Sequence, residues 1–120
     1  MASKKLQESM DQAEQAKIAF GEAVVRLRVH FMALMVDALR RKDVEFLTNL
    51  VQSCPDNETI VMIDEALYML KQGMLEDGSA EIHASSINEE IVSDYERKQS
   101  AYITTKNDLR KAALKSWVSL

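Results

Sequence analysis

Apolar residues recur at alternating spacings of three and four from Leu6 to Ala38: Leu6, Met10, Ala13, Phe20, Val24, Leu27, Phe31, Leu34 and Ala38, with Lys17 the one polar member of the row. No proline interrupts them, and the spacing predicts a single long α-helix over about residues 3–41, with Ser3 as its N-cap. Gly21 inside it marks a close helix crossing or a slight bend, because glycine weakens a helix interior. In the second half the apolar face widens, as Val25, Val29, Met32, Met35 and Val36 join the row. A helix that is apolar on more than one side is expected to be covered on more than one side. A helix of this length, roughly 50 Å, exceeds the diameter of a compact domain of this size, roughly 35 Å. The expected molecule is therefore elongated, oligomeric or both.

Asp43 is placed to cap a short second helix with Val44, Leu47, Leu50 and Val51 on one face, ending before Pro55. Cys54-Pro55-Asp56-Asn57 is turn chemistry. Asp56 or Asn57 then caps a third helix carrying Ile60, Ile63, Leu67, Leu70 and Met74, with Gly73 or Gly78 as its left-handed terminator. Residues 77–86 read as a loop. A last helix is expected over about 86–118, with a thinner row of Ile87, Ile91, Tyr95, Lys98, Tyr102, Thr105, Leu109, Ala112 and Trp117. The fold class is all-α: two long antiparallel helices, about 3–41 and 86–118, with two short helices between them, in one domain spanning residues 1–120. The polar row of the last helix is a poor match for the first. Surplus apolar surface is thus expected to meet a second copy of the chain, a dimer above all, or a helix of another protein.

Composition sharpens this picture. The chain has three glycines, one proline and 47% hydrophobic residues, far from a disordered composition. Its one cysteine, Cys54, forbids an intramolecular disulfide, and the expected location is the cytoplasm. The apolar stretch 18–39 contains Glu22, Arg26, Arg28, His30 and Asp37, which argues against a membrane span. The net charge of −4 conceals a segregation. Residues 1–42 hold eight basic and five acidic side chains, net +3; residues 43–96 hold one and thirteen, net −12; residues 97–120 hold six and one, net +5. An antiparallel arrangement would set Arg26, Arg28, Arg40, Arg41 and Lys42 beside Glu89, Glu90, Asp94 and Glu96, giving orientation more than stability.

Candidate chemistry is sparse. His30 and His83 lack a second ligand at helical spacing, and neither belongs to a metal-binding pattern. Cys54 has no nearby histidine to activate it. The neighbouring carboxylates Asp64-Glu65 and Glu89-Glu90 diverge by about 100° on a helix and do not converge on one atom. No phosphate-binding glycine loop is present. No cofactor, metal or catalytic group is expected, and the chain is read as non-enzymatic. Met32, Met35, Met62, Met69 and Met74 are either gap-filling core or an adaptive groove for an amphipathic helix.

The function this sequence points to is a helical protein–protein interaction module: a small adaptor, chaperone or regulatory factor. Leu27, Phe31, Leu34, Met35, Ile63, Leu67, Leu70 and Trp117 are its expected partner-binding residues, although the same residues equally suit a core. Two alternatives stand beside it. Arg97, Lys98, Lys106, Arg110, Lys111 and Lys115 would serve a nucleic-acid-associated regulator, the weaker reading for a net acidic chain. An oligomer could also bind a small ligand at subunit junctions.

Overall fold

A computed structural model describes residues 4–73 and 86–118. Ser3, Met74, Gly78, His83 and most of the expected loop lie outside the described residues. Four helices follow in order: α1 (Lys4–Arg41), α2 (Val44–Ser53), α3 (Asn57–Lys71) and α4 (Glu89–Val118). No strand occurs among the described residues, so the all-α architecture with two long and two short helices holds. No helix among them is long and apolar enough to cross a membrane.

The helix ends follow from local chemistry. Lys42 takes up left-handed backbone, φ 54°, while the amide of Asp43 donates to the carbonyl of Ala38 at 2.9 Å and that of Lys42 to Leu39 at 3.1 Å. This is a Schellman termination with lysine in the position that usually holds glycine. Asp43 then starts α2, its Oδ1 accepting from the Phe46 amide at 2.9 Å. Arg41 ties the corner together, donating to Asp37 at 3.2 Å and to Asp43 at 3.0 Å, with its guanidinium 5.5 Å from the Phe46 ring centre. Of the two candidates at the start of α3, Asp56 is the cap, accepting from the Thr59 amide. Gly73 lies just past the end of α3 at φ 68° and serves as its left-handed residue.

The last helix begins three residues later than its spacing implied. Ser86 and Ile87 lie before the helix, and Asn88 holds the cap, its Oδ1 accepting from the Glu90 amide at 3.0 Å. An asparagine directly before Glu89-Glu90 outcompetes a serine two residues upstream, because both acids then fall in the first turn where the helix dipole favours them.

The residues group into two compact units, Val25–Val92 and Met1–Val24 with Ser93–Leu120. In the first, α2 packs on α3, and the core comprises Leu27, Phe31, Leu34 and Ala38 of α1, Leu47 and Leu50 of α2, Ile63, Ala66 and Leu67 of α3, and Val92. In the second, α1 and α4 pair antiparallel. Phe20 sits edge-on to Tyr95, ring centres 5.3 Å apart, and tilted against Tyr102 at 5.9 Å. Ala13, Ala23 and Tyr95 are the buried apolar residues of this pair. Gly21 marks no close crossing, since a Cβ there would meet nothing within 4 Å.

Candidate interaction surface

The unit 25–92 places the residues singled out by sequence in two different settings. Leu27, Phe31, Leu34, Met35, Ile63 and Leu67 are buried by the chain itself. Leu70 is half-buried, and Trp117, in the other unit, is 77% exposed. The heptad row of α1 therefore has its cover within this unit, and those side chains are joined by packing rather than presented to solvent. Trp117, Leu114 and Val118 form an exposed apolar stretch at the end of α4 among the described residues.

What the unit leaves open is the opposite side of α1. Val25 is 61% exposed, Val29 65% and Val36 40%, and Met32 between them is half-buried. At about 100° per residue these four point roughly half a turn away from Leu27 and Phe31. They repeat the same three-four spacing in a second phase: 25, 29, 32, 36. The widened face thus divides into an inner row, covered, and an outer row, uncovered within the described residues. α3 shows a smaller version, with Val61 64% and Tyr68 59% exposed one seven-residue repeat apart, interspersed with Asp64 and Glu65. Isolated exposed valines are ordinary on protein surfaces; a row of them held at helical phase over three turns is not.

The polar groups of this unit serve its architecture. Asp56, buried at the start of α3, accepts from Arg28 Nε at 2.9 Å and from the Thr59 hydroxyl at 2.6 Å. Burial disfavours its charged form. The bonds from Arg28 and Thr59, together with the arginine charge, outweigh that and hold the carboxyl below its ordinary value. Arg28 also reaches Glu58 at 3.1 Å. Two of the arginines expected to lie beside α4 therefore meet acids elsewhere: Arg28 at the start of α3, Arg41 at the α1–α2 corner. Cys54 is a buried free thiol, its Sγ 3.7 Å from the Asp56 carbonyl, and burial, the largest influence, pushes its pKa up. A raised pKa depletes the thiolate and is the reverse of what a nucleophile needs.

His30 makes a further polar contact that sequence reasoning missed. Its Nε2 accepts from the amide of Asn88 at 2.9 Å, which requires the neutral ring with its proton on Nδ1. Burial lowers its pKa, in keeping with that role. The signal was absent from local sequence because the two partners are 58 residues apart.

No group of three or more His, Cys, Asp or Glu among the described residues is arranged to hold a metal ion. A surface depression along α2, lined by Asp43, Glu45, Phe46, Thr48, Asn49 and Gln52, draws on one helix and its cap and brings no acid–base pair to bear on a common point. On α4, Arg97 and Lys98 pair with Asp94, at 2.8 and 3.4 Å, and Lys106 lies 5.9 Å from the Tyr102 ring. At 100° per residue, Arg97, Lys98, Lys106, Arg110, Lys111 and Lys115 are distributed around the helix instead of along one line, so they do not trace a phosphate backbone. Comparison with known proteins adds nothing to this geometry: the chain matches no family model, no curated protein and no solved structure.

Proposed function

We propose that the chain is a non-enzymatic helical interaction module of the cytoplasm, an adaptor, chaperone or regulatory factor that buries an apolar helix against the outer row of α1. The observation that carries this reading is the exposure of Val25, Val29 and Val36 on the side of α1 opposite its buried row. Within the unit, Leu27, Phe31, Leu34, Met35, Ile63 and Leu67 then hold α1 rigid, and the energy of docking comes from the outer valines and Met32. A rigid helix presenting a row at three-four spacing is the complement of an amphipathic partner, read through anchors one or two turns apart. Each valine fully covered would contribute about 1.5 kcal/mol before the costs of association. The lone free thiol suits a reducing compartment.

The test is affinity capture from native lysate with the wild-type chain and with a Val25→Ser, Val29→Ser, Val36→Ser variant, after circular dichroism has shown equal helicity. Loss of specific co-purifying proteins, or of a second copy of the chain, in the variant is the expected result. An identical captured set would overturn the reading.

A further inference from the structure

The stretch of α4 from Ile103 to Val118 presents a surface of a different chemistry from the outer row of α1. Tyr102, Leu109 and Ala112 are half-buried and mark the side of α4 covered within its own unit, where Tyr102 meets Phe20 of α1. At about 100° per residue, Ile103, Leu114 and Val118 fall within about 60° of one another on the opposite side, and all three are exposed. Exposed basic residues border this line on both edges: Lys106 and Arg110 on one, Lys111 and Lys115 on the other. Trp117, the chain's one tryptophan, falls between Lys106 and Arg110 in helical phase and is itself exposed. Residues 97–120 hold six basic side chains against one acid, Asp108, in a chain whose net charge is −4. A nucleic-acid backbone would meet the cations but leave the apolar line facing phosphate and water. A neutral apolar partner would cover the line and strand the cations. The interface of an anionic bilayer answers to both, with headgroup charge along the edges, acyl chains under the middle and tryptophan at the boundary its amphipathic ring favours.

We propose that α4 docks flat on an anionic lipid surface, with Ile103, Leu114, Trp117 and Val118 entering the headgroup–acyl boundary and Lys106, Arg110, Lys111 and Lys115 meeting acidic headgroups. Residues 103–118 extend about 22 Å and lie in the plane of the interface instead of crossing it. The contact belongs to α4 alone and uses neither the valines of α1 nor any residue of the unit 25–92. It therefore goes beyond the interaction reading above and stands or falls apart from it.

The test mixes the purified full chain with vesicles of phosphatidylcholine alone, or of phosphatidylcholine with an equal part of phosphatidylserine. Binding is read by co-sedimentation and by the emission of Trp117. Partition onto the phosphatidylserine vesicles should be stronger by about tenfold or more, with the emission moving to the blue and acrylamide quenching falling. Arg110→Gln, Lys111→Gln should weaken that partition about thirtyfold, at about fivefold for each cation removed. Leu114→Ser, Val118→Ser should weaken it about tenfold and return the emission to its value in water. Both pairs are exposed, so circular dichroism should show unchanged helicity. Removing two exposed cations from the other unit, by Arg40→Gln, Lys71→Gln, should leave binding within about twofold of wild type. Equal partition onto both kinds of vesicle, or onto neither, would overturn the proposal. So would binding with Trp117 emission and quenching unchanged, or an Arg40, Lys71 variant as weak as the α4 pair. Binding to duplex DNA with none to phosphatidylserine vesicles would assign the cations to nucleic acid and overturn it as well.

Discussion

The unit 25–92 and the paired ends of α1 and α4 are built from the same kind of sequence, apolar residues at three-four spacing, yet they bury it to different depths. In the former, three further segments close around α1, and Leu27, Phe31, Leu47, Leu50 and Ile63 lose all contact with solvent. In the latter, two helices meet along one line; Tyr95 is covered, whereas Phe20, Tyr102 and Leu109 remain half-buried and Ile18, Ile103 and Leu114 exposed. A helix has more surface than one neighbour can cover. Periodicity therefore specifies which side of a helix is sticky, while the number of neighbours decides how much stability that side returns.

The sharpest test of this contrast is a matched pair of truncations. Phe31→Ala, in the closed core, should cost about 3–5 kcal/mol by urea denaturation. Phe20→Ala, half-buried between two tyrosines, should cost about 1–2 kcal/mol, in proportion to the smaller area it covers. Equal losses would mean that the paired ends are packed as tightly as the core.

A second substitution addresses the polar contribution to the same unit. Asp56→Ala removes the α3 cap and the buried carboxylate that Arg28 bonds, and should cost about 2–3 kcal/mol; Asp56→Asn keeps the cap and should cost about 1 kcal/mol. Because the folded carboxyl is held below its ordinary value, its contribution is complete above the usual carboxylate range and fades as pH falls through the folded value. A pH titration of stability in the acid limb should flatten in the Asn variant. An unchanged slope would remove Asp56 from the account.

Two backbone changes are expected to stabilise, one in each unit. Gly21→Ala meets open space and should add about 1 kcal/mol. Lys42→Gly relieves a left-handed lysine and should add about 0.5–1 kcal/mol. Thermal melts a few degrees higher than wild type would confirm both.

The smallest expected effect concerns His30. Its folded pKa lies below the ordinary 6.5, so the neutral ring that accepts from Asn88 is favoured by folding. The unfolded chain binds the proton first. The contribution is therefore complete above about 6.5 and is lost as pH drops from there toward the folded value. His30→Gln should remove this portion of the pH dependence between neutrality and mild acidity; hydrogen exchange at the start of α4 is the measurement.

Most of the architecture was legible because its signals are local. The caps Asp43 and Asp56 act on amides three residues away, and the rows on α1 and α3 need only helical phase. The start of α4 shifted because Ser86 and Asn88 are both competent caps, and the choice depended on where Glu89 and Glu90 would fall. The exposed apolar face of α1 was half legible. Val25, Val29 and Val36 stood out as a widening of the apolar face, but two rows with identical spacing look alike along a chain. Which of them the chain covers for itself depends on α2 and α3, whose positions no spacing within α1 records. On α1 the expected partner-binding residues Leu27, Phe31, Leu34 and Met35 accordingly fell on the covered side, and among the described residues the row left open is the outer one.

Cys54 gives the α2–α3 corner a reporter of its own. Its sulfur faces the Asp56 carbonyl out of solvent, and its proton is held more firmly than in a free thiol. Opening of the turn around Pro55 should expose it to a maleimide or disulfide reagent, so the rate of modification at neutral pH is expected to rise with that opening. The chain thus carries, without engineering, a clock for the breathing of the corner where its two short helices meet.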